Sequence, residues 1–199
     1  MRTLTRSIVA LALPVTVALT ALPAQAAQIT VKDAKGDVRV AGLADAENQK
    51  KLRKAPKNKK VKDHDIVRTK FAHTRKQLVV QTKFRSLKGE KIVQVSTLGI
   101  KTPKQTFAYQ WVRSDVAGEQ STTSILTRAK GGKQVKCKVR VANNVKKAVR
   151  TIKIPRTCLG KPKWVRVTSN ATTGTMENLR IDDALGKGLG KATKKIAAG

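Results

Sequence analysis

A strict alternation of apolar and basic residues over positions 135–141 constrains this chain more than any other feature. The odd-numbered residues there are valines and a cysteine, and the even-numbered residues are Lys136, Lys138 and Arg140. Successive side chains of a β-strand point to opposite faces of its sheet, so a period of two is typical of a strand buried on one side. The pattern predicts a strand with an apolar face in a core and a cationic face in water.

The same period recurs along most of the chain, between segments rich in turn-forming residues. Asn143 and Asn144 suit a tight turn after the strand at 135–142, because Asn tolerates positive φ. Further strand-like runs cover residues 27–32, 65–73, 78–85, 92–101, 107–111, 121–128, 145–154, 164–169 and 178–185. About nine short strands with no strong helical period predict an all-β, antiparallel, two-sheet β-sandwich of jelly-roll or immunoglobulin-like type.

A signal peptide is predicted over residues 1–26. A positive head with Arg2 and Arg6 precedes an apolar run of about fifteen residues, which is too short for a membrane span, and Ala24–Gln25–Ala26 has the form of a cleavage site. Its removal leaves 173 of the 199 residues, enough for one domain with its own core. We expect a secreted protein, in part associated with the cell wall, with no integral membrane segment in the mature chain.

The chain has two cysteines, Cys137 and Cys158. An even number in an exported chain predicts one disulfide, which would close a loop of about twenty residues. The alternative is a pair of free thiols at a metal or redox site. The sequence has no CxxC spacing and only two histidines, which favours the disulfide.

The charge is extreme, with 43 Lys and Arg against 12 Asp and Glu, for a formal net charge of +31. Lys outnumbers Arg by 29 to 14, and an excess of hydrated point charges favours diffuse attraction to polyanions over recognition of particular groups. The predicted partner is an anionic polymer: a wall polymer, an acidic polysaccharide or extracellular DNA. The alternative is that the charge has no partner and only keeps the surface solvated.

The predicted polyanion-binding residues fall into two groups, a lysine-rich segment and the strand described first. The first group belongs to a basic insert over 44–62, predicted to be flexible because its like charges repel. The insert lies within a β-sandwich domain spanning 27–185, and a flexible basic tail is predicted over 186–199. The candidate residues are Lys50, Lys51, Arg53, Lys54, Lys57, Lys59, Lys60, Lys62, Lys136, Lys138 and Arg140.

Four aspartates flank the insert, Asp33 and Asp37 before it and Asp63 and Asp65 after it. If the insert loops out, the two pairs can approach each other, and converging carboxylates suit Ca²⁺, which takes several oxygen ligands. The spacing is not that of an EF-hand. The alternative is that these residues form turns through local hydrogen bonds or balance nearby lysines.

Aromatic residues offer a different hypothesis, in which Tyr109, Trp111 and Trp164 stack against sugars. The alternative for Tyr109 and Trp111, which share a strand face with Phe107, is a place in the core, since few other large side chains are available to fill one.

No catalytic residues are predicted. His64 and His73 are the only histidines, and neither lies in a metal-spaced group. The sequence also lacks a nucleophile elbow, an SxxK pair and a glycine-rich phosphate loop. We therefore expect a protein that is not an enzyme.

Four short segments carry a family resemblance: 33–37 (DAKGD), 65–67 (DIV), 78–87 (LVVQTKFRSL) and 154–162 (IPRTCLGKP). In them the chain resembles a group of small exported bacterial β-sandwich proteins of unassigned function, distantly similar to carbohydrate-binding modules of the CBM9-like, DOMON-type class. The resemblance runs from residue 28 to about 185. It implies a sandwich fold, a structural calcium near Asp33, Asp37 and Asp65, and sugar binding as the alternative function.

Overall fold

The computed structural model describes residues 27–42, 49–87, 93–116, 118–175, 177–185 and 190–199, so the predicted signal peptide lies outside it. The described residues form mostly β-strands, with one short α-helix and one 3₁₀ helix, and neither of these helices is long and apolar enough to cross a membrane. The elements are, in chain order, β1 (Ala27–Lys32), β2 (Arg39–Ala41), α1 (Gln49–Lys54), β3 (Ile66–His73), β4 (Gln77–Phe84), β5 (Val93–Lys101), β6 (Thr106–Val116), β7 (Glu119–Arg128), β8 (Arg140–Asn144), β9 (Val149–Pro155), the 3₁₀ helix (Arg156–Leu159), β10 (Trp164–Gly174), β11 (Leu179–Asp183) and β12 (Ile196–Ala197).

Two antiparallel sheets enclose the core, which confirms the predicted all-β sandwich. The five-stranded sheet has the order β1-β3-β4-β9-β8, and the seven-stranded sheet has the order β2-β11-β10-β5-β6-β7, with β12 added against β10. Inward-facing side chains of both sheets form one apolar cluster, in which Phe71 and Ile154 of the five-stranded sheet join Leu98 and Val167 of the other. Alternation along each strand leaves the remaining side chains on the outer faces.

A β-bulge interrupts the alternation at the start of β3. The ladder to β4 pairs Ile66 with Phe84 and then Arg68 with Lys83, so Val67 has no directly opposite partner. Ile66 and Thr69 are both fully buried although they are three residues apart, which an unbroken period of two does not allow. An unbroken period of two over the predicted run 65–73 would place Val67 on the same face as Thr69, and the bulge is the reason that β3 departs from this pattern.

The predicted strand at 135–142 begins later than expected, because its first half passes from one sheet to the other. The Val135 amide donates to the Leu126 carbonyl of β7 at 2.7 Å, whereas Arg140 begins β8 in the five-stranded sheet. The alternation persists through the crossing, with Lys136 and Lys138 exposed. The predicted disulfide is confirmed: Cys137 on this crossing is bonded to Cys158 of the 3₁₀ helix.

One arginine, Arg150 of β9, lies inside the sandwich and is 1% exposed. Its guanidinium carbon is 4.1 Å from the centroid of the Trp111 ring and 5.6 Å from that of Phe84. The guanidinium donates to three neutral side chains: Ser96 Oγ at 2.7 Å, Gln94 Oε1 at 2.8 Å and Asn143 Oδ1 at 2.8 Å. Burial lowers the pKa of Arg150 to about 9, so the side chain stays charged at neutral pH.

In place of the flexible insert that the sequence predicted, residues 49–62 pack along β2. Leu52 of α1 is buried against Ala41, Leu179 and Ile181, in a small second core. The Asn58 amide donates to the Val38 carbonyl at 2.8 Å. The charge repulsion that suggested flexibility is therefore opposed by one apolar anchor and by backbone pairing, while the lysines of this segment stay exposed.

The flexible tail predicted over 186–199 is also replaced by packed chain where the structure describes it, from residue 190 onward. Ile196 is 1% exposed, and β12 pairs with Trp164 and Val165 of β10. The Ile196 carbonyl accepts a hydrogen bond from His73 Nδ1 at 3.1 Å, which ties the tail to the five-stranded sheet as well. Burial lowers the pKa of His73, in keeping with a neutral ring at this contact.

Truncation of Ile196 tests this docking. We expect Ile196→Ala to lower the free energy of unfolding by about 2–5 kcal/mol, the usual cost of emptying a buried aliphatic site. Lys194→Ala, in the same segment but exposed, should stay within about 0.5 kcal/mol of the wild type. Urea unfolding at neutral pH measures both. Equal free energies of unfolding for the two variants would show that Ile196 does not anchor the tail, and would support the flexible tail that the sequence predicted.

Candidate metal centre

Aspartates from three distant parts of the chain meet where the two sheets join. Asp33 and Asp37 bound the turn after β1, Asp65 precedes β3, and Asp182 lies near the end of β11. The Ile66 amide at the β3 bulge donates to Asp182 Oδ2 at 2.6 Å, which links the sheets directly. We call Asp33, Asp37, Asp65 and Asp182 the aspartate cluster.

The turn after β1 is shaped for this contact by Gly36. Its φ is 77°, a left-handed conformation that favours glycine, and a Cβ atom there would lie 3.2 Å from Lys59 Cα. The Gly36 amide donates to Asp65 Oδ2 at 2.9 Å. The turn therefore contacts Asp65, just before β3, on one side and Lys59 of the 49–62 segment on the other.

Three of the aspartates divide their two oxygens in the same way. One oxygen has a protein partner: Asp33 Oδ1 accepts from the Ala34 amide at 2.9 Å, Asp37 Oδ2 is 3.7 Å from Lys57 Nζ, and Asp65 Oδ2 accepts from Arg85 Nη1 at 2.8 Å as well as from Gly36. The other oxygen, Asp33 Oδ2, Asp37 Oδ1 or Asp65 Oδ1, is buried with no hydrogen-bond partner. Each such oxygen carries an uncompensated cost of desolvation.

A divalent cation would compensate that cost. Carboxylate oxygens of Asp33, Asp37 and Asp182, one from each, lie within 4.8 Å of one another. Ca²⁺ takes six to eight oxygen ligands at about 2.3–2.6 Å with flexible geometry, and oxygens on opposite sides of such an ion are separated by about twice that distance. The chemistry and the spacing of these residues therefore fit Ca²⁺.

The pKa values of the cluster describe the same energetic problem. Burial, helped by the charges of Asp37, Asp183 and Asp65, raises the pKa of Asp33 to about 7. Burial, with the charges of Asp33, Asp37 and Asp65, raises the pKa of Asp182 to about 9, and burial raises the pKa of Asp37 despite the nearby Lys57. Near neutral pH the cluster retains protons that a bound metal ion would displace.

The sequence prediction named three of the four cluster members. The structure brings Asp33 and Asp37 to ligand spacing with Asp182, and Asp65 adjoins them through the Gly36 amide. Asp63 is not part of the cluster, and its Oδ2 lies 2.9 Å from His64 Nδ1. Asp182 was missed. Its one signal in the sequence is the acidic pair 182–183 at the end of a strand-like run in a strongly basic chain, and nothing local indicates that this strand end meets β3.

The predicted sugar-stacking residues are not available as a platform. Tyr109 is fully buried, with its hydroxyl 3.1 Å from Ser124 Oγ, and Trp111 is 3% exposed beneath Arg150. Trp164 is half-buried, and the Lys195 ammonium lies 4.9 Å from its ring centroid. The sugar-stacking hypothesis is wrong for Tyr109 and Trp111, because both side chains fill the core. This is the alternative that the sequence offered for these two residues.

The predicted polyanion-binding residues are all exposed, but the structure divides them between two edges of the sandwich. Residues 49–62 lie beside β2, the edge strand of the seven-stranded sheet next to β11, whereas residues 136–140 lie between the edge strands β7 and β8. The outer face of the five-stranded sheet, which runs from β1 to β8, carries further exposed basic residues: Lys32, Arg68, Lys70 and Lys153.

Comparison with known proteins adds no relative: the chain matches no family model, no curated protein and no solved structure.

Calcium binding is expected to change thermal stability in a pH-dependent way. Asp33 and Asp182 have folded pKa values above the ordinary value of 3.8, so without metal they destabilise the fold progressively as the pH rises from about 4 to 9. A saturating divalent cation should therefore raise the melting temperature clearly near pH 8 and little near pH 5. At 100 times the dissociation constant the gain is about 2.7 kcal/mol, or roughly 5–11 °C.

The measurement is differential scanning calorimetry in EDTA and in millimolar Ca²⁺. Asp182→Asn is the matched variant, since it keeps the shape and removes the charge; we expect it to raise the melting temperature in EDTA near pH 8 and to abolish the response to Ca²⁺. A wild-type melting temperature that is the same in EDTA and Ca²⁺ near pH 8 would show that the cluster is not a calcium site.

Proposed function

We propose that this protein is a secreted, non-enzymatic β-sandwich that binds anionic polymers of the cell envelope or the extracellular space through a cationic surface. The observation that carries the proposal is the separation of the two signs of charge within the fold. Six of the nine acidic residues that the structure describes lie at one end of the sandwich around the aspartate cluster, and Asp115, Glu119 and Glu177 lie elsewhere, whereas exposed basic residues are spread over the described surface.

The separation is visible in the strands themselves. The five strands of the five-stranded sheet contain no Asp or Glu, although they contain seven Lys or Arg. Six acidic residues lie at the end that holds the cluster: Asp33, Asp37, Asp63, Asp65, Asp182 and Asp183. Because these carboxylates are turned inward or paired there, they do not neutralise the lysines elsewhere, and the large net charge is expressed at the surface.

A polymer is a better partner for such a surface than a small anion. Each exposed ion pair contributes at most about 1 kcal/mol, so a single contact gives negligible affinity. A polyanion that spans several lysines adds these contacts and also releases its condensed counterions, which supplies most of the free energy of such binding. Outside the cell, wall polymers, acidic polysaccharides and DNA have this charge density.

A bound Ca²⁺ would serve this function as a structural ion. Asp33 and Asp37, Asp65 and Asp182 would hold it, and it would join the turn after β1, the start of β3 and the end of β11. The two histidines support a non-enzymatic protein, since His64 and His73 are 1% and 0% exposed and neither can reach a substrate as a general base. Carbohydrate binding by aromatic stacking loses support with the burial of Tyr109 and Trp111.

Salt dependence tests the proposal directly. With duplex DNA as the probe, six phosphate contacts predict a plot of log affinity against log salt with a slope of about −5. The triple variant Lys136→Gln, Lys138→Gln, Arg140→Gln should make that slope less negative by about 2–3. Fluorescence anisotropy of labelled DNA over a range of NaCl concentrations measures both, with neutral dextran as the competitor control. Affinity that does not change with salt, or no binding at low salt, would contradict the proposal.

A further inference from the structure

The outer face of the five-stranded sheet carries a polar groove of about 300 Å³. Its lining is cationic and hydrogen-bonding, with one small aliphatic side chain. We call it the sheet groove; its residues are Thr30 of β1, Arg68 and Lys70 of β3, Gln81 and Lys83 of β4, and Val149 of β9.

The strand register sets like charges directly opposite one another at this groove. Lys32 of β1 pairs with Arg68 of β3, and Arg68 pairs with Lys83 of β4, so three cations form one row across three strands. Neighbouring strands are about 4.8 Å apart, and like charges directly opposite destabilise a sheet. The row therefore costs stability unless an anion lies across it.

The described strands of this sheet provide no such anion. None of the five strands contains a carboxylate, and the nearest acid in the sequence, Asp33, directs one oxygen to its own turn and buries the other. The ammonium of Lys83 donates to the Lys147 carbonyl, which holds the side chain in place and leaves two of its three N–H groups for a ligand. The described residues of these five strands therefore leave the row to be neutralised by an anion from outside the sheet.

We infer that the sheet groove is a subsite for the phosphate group of a linear phosphate-bearing polymer. This inference rests on the proposed function and deepens it by naming the place and the chemical class. Arg68 stands at the middle of the row and offers the planar fork of donors that binds phosphate in a bidentate manner. Lys83 and Lys70 stand beside it, so the further oxygens of a tetrahedral phosphate also find donors.

The same arrangement disfavours two other polyanions. A carboxylate has two oxygens, and Arg68 alone satisfies both, so a polycarboxylate gains less from the flanking lysines. Single-stranded nucleic acid is normally held by stacking of its bases on aromatic rings, and the described strands of this sheet present no aromatic side chain outward: Phe71 and Phe84 are both buried. The recognised feature is thus the phosphate itself.

The experiment compares two variants that remove the same charge. The groove variant is Arg68→Gln, Lys70→Gln, Lys83→Gln; the control is Lys101→Gln, Lys130→Gln, Lys133→Gln, at exposed positions away from the groove. The probes are inorganic polyphosphate and polyglutamate of similar length and charge, measured by isothermal titration calorimetry at one salt concentration. We expect the groove variant to lose at least about tenfold in affinity for polyphosphate, and the control about two- to threefold.

Two further readouts separate the causes. The groove variant should melt at or above the wild-type temperature, because it removes like-charge contacts, so lost binding cannot be ascribed to unfolding. Inorganic phosphate at the same total phosphate concentration should compete weakly with polyphosphate. Complete competition would show that the groove binds a free phosphate ion, and would overturn the proposal that its ligand is a polymer.

The outcomes distinguish the two proposals. If the wild type binds neither probe, the proposed function fails. If the wild type binds polyphosphate but the groove variant and the control weaken equally, only diffuse charge is at work and the sheet groove is not a subsite. A wild type that prefers polyglutamate would overturn the choice of phosphate.

Discussion

Burial of the aspartate cluster between the two sheets is the constraint on which the rest of this structure depends. The hydrogen bond from the Ile66 amide to Asp182 Oδ2 joins the sheets there, and the one from the Gly36 amide to Asp65 Oδ2 fixes the preceding turn. These contacts bring carboxylates close together with several oxygens left unpartnered. A fold that accepts this cost needs protons or a metal ion to offset it, and Ca²⁺ matches the donors.

The consequence reaches beyond that end of the molecule. Carboxylates gathered in one place are lost as counter-charges for lysines elsewhere, so most of the described lysines contribute positive charge to the surface. Arg150 is a buried exception among the cations, because Trp111 and neutral oxygen acceptors hold its guanidinium in the core. The inward position of these carboxylates and the outward position of the lysines are therefore linked in this fold.

The sequence predicted what depends on local pattern. Alternation indicated most of the strands and the outward position of Lys136 and Lys138, and the even number of cysteines indicated the disulfide between Cys137 and Cys158. Local pattern could not indicate features that depend on distant partners. The bulge at Val67 shifts the phase of β3, Asp182 reaches the cluster only through the pairing of β11 and its contact with Ile66, and Arg150 occupies an inward position where an alternating pattern predicts an apolar residue. The packing of the tail around Ile196 was not predicted, because its two large apolar residues, Leu189 and Ile196, give no periodicity.

Anomalous X-ray diffraction from crystals grown with Tb³⁺, a Ca²⁺ analogue with a strong anomalous signal, tests the central claim most directly. The account predicts one dominant peak within ligand distance of Asp33, Asp37, Asp65 and Asp182, and loss of that peak in crystals of Asp182→Asn. A cluster with no anomalous density, filled instead by the Lys57 ammonium or by closely paired protonated carboxyls, would contradict it.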